Sequence, residues 1–247
     1  GSRLNMSRLR NISTQESEFI KNINSSLDRG ISVLLAVSAK EDKKFEEFRN
    51  GSLFNGREVV TIDAETSIKD IERIVDKPWA ADGRARVILV TERGWTGRNY
   101  KAQKDFVDLV SKAHIKEQSL HLAVYKSNEI SGALFTQLLG RVGRTVDSKP
   151  TAKIFHFVKE SDMNRTLKDL DNVELRKDFK DKLAQRYAEN PESISQVMKL
   201  LARYENGTLT KISAKLRLTA AYLEMSNAVS KGARYTIRDN ARNVIEL

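Results

Sequence analysis

The amino-acid sequence predicts an α/β fold with a mainly parallel sheet, followed by an all-α accessory domain. Up to about residue 160, short and nearly continuous apolar runs alternate with segments of helical periodicity. Such runs are typical of strands that are buried on both faces of a parallel sheet. Beyond residue 160 the apolar residues recur only at helical intervals. We therefore predict two domains, residues 1–160 and residues 161–247.

Five strands are predicted from the apolar runs, and they cover residues 31–37, 59–62, 87–90, 120–125 and 151–158. The segments between them predict helices over residues 14–29, 41–49, 102–114 and 132–140, and one more marked by Ile68, Ile71, Ile74 and Val75. Gly30 ends the first helix, and Pro78 follows the helix that begins near Ile68.

The accessory domain is predicted to be helical and charged. Asn190-Pro191 breaks its periodicity and begins a further helix that runs to about Tyr204. The segment from Leu209 to Met225 then resembles a helix-turn-helix, with Thr219 as the cap of its second helix. In that motif the first exposed residues of the second helix meet base edges; here they are Ala220, Ala221 and Glu224. The alternative is a small helical bundle that packs on the α/β domain.

Charge and composition favour a nucleic-acid partner. The chain has 43 Lys and Arg against 33 Asp and Glu, a formal net charge of +10, and this surplus favours a polyanion. In the accessory domain the candidate phosphate contacts are Lys211, Lys215 and Arg217. The chain has no cysteine, which excludes disulfides and thiolate zinc sites, and its three histidines (His114, His121 and His156) are scattered, so no metal centre is predicted.

Location and completeness are also predicted from sequence features. No apolar run approaches the length of a membrane span and no signal peptide opens the chain, so we expect a soluble, intracellular protein of the cytoplasm or nucleus. Gly1-Ser2 resembles the remnant of a cloning vector, and we expect the chain to be either the second half of a longer protein or an orphan domain.

The most informative motif is the run Gln137-Leu138-Leu139-Gly140-Arg141-Val142-Gly143-Arg144. Arginine provides planar, permanently charged recognition of phosphate oxygens. The glycines allow the backbone to turn tightly, so that both guanidinium groups can approach a polyanion. The alternative is a glycine-bounded helix start whose arginines are solvated or bind a structural anion.

The run resembles the sixth motif of superfamily 2 helicases and translocases, in which one arginine acts as a finger on the γ-phosphate of ATP bound at a partner domain. The resemblance implies that Arg144 is the finger and that Arg141 supports phosphate contact or interdomain closure. It also implies that Gln137 senses the nucleotide or positions the attacking water, and that Gly140 and Gly143 lie against the nucleotide.

The loop after the third predicted strand, Thr91–Asn99, resembles the fifth motif of the same family. Thr91 and Gly97 have the expected separation, whereas Thr96 replaces the usual Arg and Asn99 replaces the usual Asp. The resemblance implies that Gly97 contacts the nucleotide and that Thr91 and Thr96 bind the nucleic-acid backbone.

Two neighbours in this loop join that predicted nucleic-acid contact. Arg98 is the candidate for a charged contact, and Trp95 either stacks on a base or packs under the loop.

The order of elements extends this resemblance to residues 14–160 as a carboxyl-terminal RecA-like domain. The sequence contains neither the phosphate-cradling Gly-x-x-x-x-Gly-Lys-Ser/Thr pattern nor the family's Asp-Glu pair. ATP and Mg²⁺ are therefore expected to bind jointly with an amino-terminal RecA-like domain, and this chain alone is not expected to hydrolyse ATP.

The nucleic acid is expected to be DNA slightly in preference to RNA, because of the helix-turn-helix-like tail. Two other functions remain open. One is a non-catalytic nucleic-acid-binding or adaptor protein on a degenerate RecA-like scaffold. The other is a transcriptional regulator that acts through its tail, which requires sequence-specific duplex binding that survives deletion of residues 1–160.

Overall fold

A computed structural model gives the fold of this chain and describes residues 10–38, 42–92, 94, 98–115, 120–126, 145–146, 149–150 and 153–226. The strands are β1 Arg10–Ser13, β2 Ser32–Val37, β3 Val59–Ile62, β4 Val87–Thr91, β5 Leu120–Tyr125, β6 Thr145–Val146, β7 Lys149–Pro150 and β8 Ile154–Phe157. The α-helices are α1 Glu16–Asp28, α2 Asp42–Arg49, α3 Ile68–Asp76, α4 Tyr100–Ile115, α5 Glu160–Lys168, α6 Val173–Arg186, α7 Pro191–Glu205 and α8 Ile212–Met225.

Six of the strands form one sheet in the order β1-β8-β5-β2-β4-β3, and every neighbouring pair is parallel. Strands β6 and β7 form a separate antiparallel pair. The predicted α/β class, with a parallel sheet followed by helices, is therefore confirmed. Because all six strands run in one direction, their carboxyl ends lie together at a single edge.

The sheet is covered by helices on both faces, which explains why its central strands consist almost entirely of apolar residues. All six residues of β2 are buried, as are all six of β5. In β2, Leu34 and Ala36 contribute to the core on one face, and Val33, Leu35 and Val37 contribute to the core on the other. This alternation follows from the two-residue period of a strand.

One face is covered by α1 and α2. From α1, Phe19, Ile23 and Leu27 are fully buried against the odd-numbered side chains of β2, and Phe48 of α2 joins the same cluster. The helix-type spacing of the α1 residues is the pattern that predicted this helix. Gly30, with φ of 81°, ends the turn that follows α1, as the sequence predicted.

The opposite face is covered by α3, α4 and the helical segment α5–α8. Their buried residues belong to one continuous cluster, which runs from Leu34 and Ile88 of the sheet through Phe106 of α4 to Phe179 of α6 and Leu218 of α8. The helical segment therefore shares its core with this face of the sheet.

Polar caps define two helices of the segment. The side chain of Asn172 accepts hydrogen bonds from the backbone amides of Glu174 and Leu175 at the start of α6. Asn190 accepts one from Ser193 at the start of α7, where Pro191 occupies the first turn as predicted. Among the described residues, no helix combines the length and the apolar character needed to cross a membrane.

The predicted helix-turn-helix within residues 209–225 was wrong. Residues Ile212–Met225 form one continuous helix, and Thr219 lies inside it with its hydroxyl donating to the carbonyl oxygen of Lys215 at 2.8 Å. Ala220 and Ala221 are buried, so they cannot meet base edges. The helix continues through Arg217 because arginine is a good helix former and no Gly or Pro interrupts the segment. The helical-bundle alternative describes the observed arrangement.

Two short elements were not predicted. Strand β1 pairs with β8 in parallel register, with Arg10 opposite Ile154. Its four residues are mostly polar, so no apolar run marks it. The β6–β7 pair has two residues in each strand, too few for any periodicity. The helix predicted over residues 132–140 lies outside the described residues.

A buried histidine connects α1 to the sheet. His121 lies in β5, on the face covered by α1, and its Nδ1 is 2.8 Å from the hydroxyl oxygen of Ser26. Its ring also packs edge-on against Phe155. Burial, with Arg29 and Lys153 nearby, lowers the pKa of His121 to about 4. His121 is thus a structural residue.

The low pKa of His121 predicts a stability change with pH. In the unfolded chain the pKa of His121 is near 6.5, whereas in the folded protein it is about 4. The folded protein therefore loses stability as the pH falls from about 6.5 to about 4. Between about pH 7 and about pH 4.5, we expect this residue to remove about 2–3 kcal/mol from the free energy of unfolding.

Urea unfolding of the wild type and of His121→Gln at both pH values measures this effect. The variant keeps a polar side chain for Ser26 but does not titrate, so its stability should fall by correspondingly less. Equal losses in both proteins would contradict the assignment.

Candidate functional site at the carboxyl edge of the sheet

The strand order places a topological switch point between the carboxyl ends of β2 and β5. From β2 the chain continues through α2 to β3, the strand at one end of the sheet order. After β5 it returns to the sheet as β8, which lies in the opposite direction along that order. In open parallel sheets, ligands bind where the connections diverge in this way. The residues at this point are Val37 and Ser38 on one strand, and Tyr125 and Lys126 on the other.

Tyr125 is fixed at the carboxyl end of β5 by a charged network. Its hydroxyl donates to Glu16 Oε2 at 3.0 Å, and Lys44 Nζ donates to Glu16 Oε1 at 2.5 Å and to Glu47 Oε2 at 2.8 Å. Partial burial on its own would lower the pKa of Lys44, but the hydrogen bonds to the two carboxylates raise it above its ordinary value. The Lys44 charge is therefore matched locally, and this network positions Tyr125 and α2.

Lys126 brings a second cation to the same point. It follows β5 directly, its φ of 53° is left-handed, and only 8% of its surface is exposed. Its Nζ lies 5.5 Å from the centroid of the Tyr125 ring. A non-glycine residue rarely adopts this backbone conformation, which is typical of tight turns and functional sites. Lys126 also opens the connection that carries Gln137–Arg144.

The loop after β4 is tied to the neighbouring strand β3. The hydroxyl oxygen of Thr91 accepts a hydrogen bond from the Gly94 amide at 3.1 Å. Arg98 Nε donates to the Gly94 carbonyl oxygen at 3.0 Å, and an Arg98 terminal nitrogen donates to the Asp63 carbonyl oxygen at 2.5 Å. Gly94 is buried so closely against β3 that a Cβ atom would overlap the Ile62 carbonyl oxygen.

Asp63 organises the turn that receives Arg98. Its carboxylate accepts from the Glu65 amide at 2.9 Å and from the Thr66 hydroxyl at 3.0 Å. Burial lowers the pKa of the Arg98 guanidinium, while Asp63 and Glu65 act in the opposite direction. Arginine nevertheless remains charged at any physiological pH. Arg98 is thus a half-buried cation whose first role is to hold the loop on the β3 turn.

Asn99 has a structural role at the position where the resembled motif has Asp. Its side-chain oxygen accepts from the Ala102 amide at 2.9 Å, which caps the first turn of α4. The Gln103 side chain donates to the Arg98 carbonyl oxygen at 2.7 Å and braces the same junction. Asn99 therefore caps the start of α4, as an Asp at this position also could.

The structure brings only some of the predicted site residues together. Thr91 and Arg98 lie at the carboxyl edge. The other predicted residues of this site lie outside the described part of the chain: Trp95, Thr96, Gly97, Gln137, Gly140, Arg141, Gly143 and Arg144.

The three basic candidates of the accessory domain lie on the helical segment. Lys211 is exposed just before α8, Lys215 is half-buried, and a terminal nitrogen of Arg217 donates to Gln196 Oε1 at 2.6 Å. From residue 160 to residue 226 the chain has 12 basic and 11 acidic residues, so the surplus positive charge lies elsewhere. This balance does not favour the helical segment as the main contact for a polyanion.

Sequence reasoning missed Tyr125, Lys126 and Asp63. Tyr125 and Lys126 could have been found as polar residues at the end of a predicted apolar strand. No local signal connects Asp63 with Arg98, because their contact bridges two loops. Within the described residues, no group of three or more His, Asp or Glu side chains is arranged to hold a metal ion.

No protein-family model matches this chain, and no curated protein or solved structure is significantly similar to it. Functional inference therefore depends on the residues at the sheet edge and on the motifs in the connections that leave it.

The close approach of Gly94 to β3 gives a stability prediction. Gly94→Ala should lower the free energy of unfolding by about 1–3 kcal/mol, because the new methyl group would overlap the Ile62 carbonyl oxygen and push the loop away from β3. Gly56→Ala is the matched control, since its φ is 72° but the space around it is open. The control should cost only about 1 kcal/mol of backbone strain.

Urea unfolding at neutral pH compares the two variants. A smaller loss for Gly94→Ala than for Gly56→Ala would contradict the close packing of the loop.

Proposed function

We propose that this chain is the second motor domain of an ATP-dependent superfamily 2 nucleic-acid helicase or translocase. It binds the backbone of a nucleic acid with the loop after β4. It supplies Arg141 and Arg144 to ATP that is held mainly by an amino-terminal RecA-like domain.

The observation that carries the proposal is that the segments containing the two motifs both leave the sheet at its carboxyl edge. Thr91 and Tyr125 each pair with Val37, from opposite sides. Their backbones are thus separated by two strand spacings, about 10 Å. The loop Thr91–Asn99 begins at the first of them, and the connection that carries Gln137–Arg144 begins after the second. A nucleotide and an adjacent nucleic-acid backbone could contact both segments at once.

The arginines are suited to the phosphates of the nucleotide. Two guanidinium groups separated by Val142 and Gly143 can contact different oxygens of a triphosphate. When bound, ATP with its Mg²⁺ supplies the phosphoryl group to be transferred. Arg144 stabilises the negative charge that develops there, Arg141 supports the contact, and Gln137 orients the attacking water.

The loop after β4 is suited to a nucleic-acid backbone. The hydroxyl groups of Thr91 and Thr96 and the backbone amide of Gly97 can donate to phosphate oxygens, and Trp95 can stack on a base. Arg98 anchors this loop to the Asp63 turn, so the loop can move with β3 as one body when the motor closes. The expectation of DNA over RNA depended on the helix-turn-helix and loses its basis with it.

An adaptor protein without catalysis is the second candidate, because the sequence has no phosphate-cradling loop. The two candidates differ in what Arg144 does. In a motor, loss of Arg144 abolishes ATP turnover while the fold and nucleic-acid binding persist. In an adaptor, loss of Arg144 leaves the cellular function intact.

The role of Arg144 predicts a kinetic effect in a protein that joins this chain to its amino-terminal RecA-like domain. Arg144→Ala should lower kcat for ATP by about 10³-fold or more, with little change in KM, because the finger acts mainly in the transition state. Arg165→Ala is the matched control, since Arg165 is a largely exposed arginine of α5. The kcat of this variant should equal that of the wild type.

Steady-state ATPase assays with nucleic acid present measure this effect, and the 247-residue chain alone should show no turnover. Equal kcat values for the Arg144→Ala and Arg165→Ala proteins would contradict the assignment of Arg144 as the arginine finger. Nucleic-acid-stimulated turnover by the isolated chain would show that it needs no partner domain.

The role of the β4 loop predicts a binding effect in the isolated chain. Arg98→Ala should weaken the binding of a labelled oligonucleotide about tenfold, because the loop loses the hydrogen bonds that Arg98 donates to the Gly94 and Asp63 carbonyl oxygens. The double variant Lys211→Ala and Lys215→Ala removes two charges from the helical segment and should weaken binding by less.

Fluorescence anisotropy over a series of salt concentrations gives both affinities and the number of phosphate contacts. A larger loss from the double variant than from Arg98→Ala would move the main contact from the carboxyl edge to the helical segment.

A further inference from the structure

Trp79 is an exposed aromatic residue at the amino edge of the sheet, opposite the candidate site. Its side chain is held in place because its indole Nε1 donates to the Gly30 carbonyl oxygen at 2.9 Å. The residue is nevertheless 39% exposed, which is unusual for an anchored tryptophan. A fixed ring with free surface loses little conformational entropy when a flat group stacks on it.

The turn that carries Trp79 is tightly connected to the sheet. Trp79 forms an antiparallel bridge with Ala85, and the Ala80 amide donates to the Arg84 carbonyl oxygen at 2.8 Å. The buried hydroxyl of Ser32, in β2, donates to the Pro78 carbonyl oxygen at 2.5 Å and accepts from the Arg86 amide at 3.0 Å. The position of the indole ring is therefore set by the centre of the sheet.

Exposed cations lie at this edge of the sheet. Arg29 adjoins Gly30, Lys77 and Arg84 lie close to Trp79 in the chain, and Lys153 lies just before β8, two strands from β2. All four residues are exposed. Within the described part of the chain none of the four forms an ion pair, whereas two largely buried arginines of this edge do: Arg57 with Asp28 and Arg86 with Glu58.

The depressed pKa of the buried His121 agrees with this charge distribution. Two of the causes of the shift are the positive charges of Arg29 and Lys153. The same two residues thus place positive potential at this end of β5, which only β2 separates from β4, the strand that follows the Trp79 turn.

We propose that Trp79 and the cations around it form a second contact surface for single-stranded nucleic acid. A base stacks on the indole ring, and the flanking phosphates bind Arg29 and Arg84. This inference rests on the proposed function in assuming a nucleic-acid partner, but it concerns a different surface. The six residues of β2 separate the two edges by about 20 Å.

The chemistry of the surface favours nucleic acid over a protein partner. A protein interface of useful affinity needs an apolar centre around its aromatic anchor. The exposed neighbours of Trp79 in the turn are instead small or charged: Lys77, Ala81, Asp82 and Arg84. An aromatic platform flanked by unpaired cations is the arrangement with which proteins bind single strands without sequence preference.

The two tryptophans of the chain allow each surface to be observed separately. In Trp95→Phe the emission comes from Trp79 alone, and in Trp79→Phe it comes from Trp95 alone. Titration with an oligothymidylate of about 15 nucleotides, a length within the usual site sizes, should quench Trp79 emission, and added salt should reverse the quenching.

The outcomes separate the two proposals. Quenching in both variants supports both surfaces. Quenching of Trp95 without quenching of Trp79 leaves the proposed function standing and overturns this inference. No quenching in either variant, with no change in the anisotropy of a labelled oligonucleotide, overturns both.

Affinity measurements on the full chain give a second test. Trp79→Ala should weaken binding of the same oligonucleotide about tenfold, and Trp79→Phe should weaken it less, because the stacking ring remains. Arg84→Ala should reduce the slope of log affinity against log salt by about 0.7. Lys199→Ala removes an exposed charge from α7 and is the matched control, with no expected change in affinity.

A thermal unfolding curve checks that each variant is folded. Wild-type affinity in folded Trp79→Ala would overturn the proposal. A loss of affinity in Trp79→Phe as large as in Trp79→Ala would also overturn it, because that loss would come from the Gly30 hydrogen bond and not from stacking.

Discussion

The burial of β2 between β4 and β5 is the constraint on which the rest of the structure depends. Every residue of this strand is buried, so each of its backbone polar groups must be paired by a neighbouring strand. Parallel pairing on both sides satisfies them and requires a crossover segment for each connection. The crossovers bring the helices onto the two faces and send the connecting loops to the two edges. The positions of Thr91, Tyr125 and Trp79 all follow from this arrangement.

The two edges differ in how they use charge. At the carboxyl edge, the cation Lys44 is matched by Glu16 and Glu47, and Arg98 donates to backbone carbonyl groups. These groups hold loops in position. At the amino edge, none of the exposed cations Arg29, Lys77, Arg84 and Lys153 forms an ion pair with another described residue.

The sequence was a good guide to the elements whose burial is periodic. The strands β2, β3, β4 and β5 were predicted to within about one residue because apolar side chains fill them, and α1 and α3 were predicted from one apolar face. Strand β1 could not be predicted, because Ile12 is its only apolar residue and its place in the sheet is set by backbone pairing with β8. The single helix α8 was mistaken for two, since Thr219 is a common cap residue and only tertiary packing shows that it lies inside the helix.

The candidate site was predictable in part for a similar reason. Thr91 and Arg98 belong to a loop with a recognisable pattern. The contact between Arg98 and Asp63 connects residues that are 35 positions apart, and no local pattern encodes such a pair. Trp79 gave no signal as a surface residue, because a tryptophan before an apolar strand usually predicts core. Only the structure of the turn shows that the Trp79 side chain is exposed.

The core shared by the sheet and the helices α5–α8 has a consequence for how this protein can be divided. Leu167, Phe179 and Leu218 belong to the same apolar cluster as Leu34 and Ile88. A cut at residue 160 would expose apolar surface on both fragments, and each would tend to aggregate or to lose its packing. The two parts should melt as one cooperative unit, although the sequence changes character between them. Point substitutions, rather than truncations, are the tools that can assign separate tasks to the sheet and to the helices.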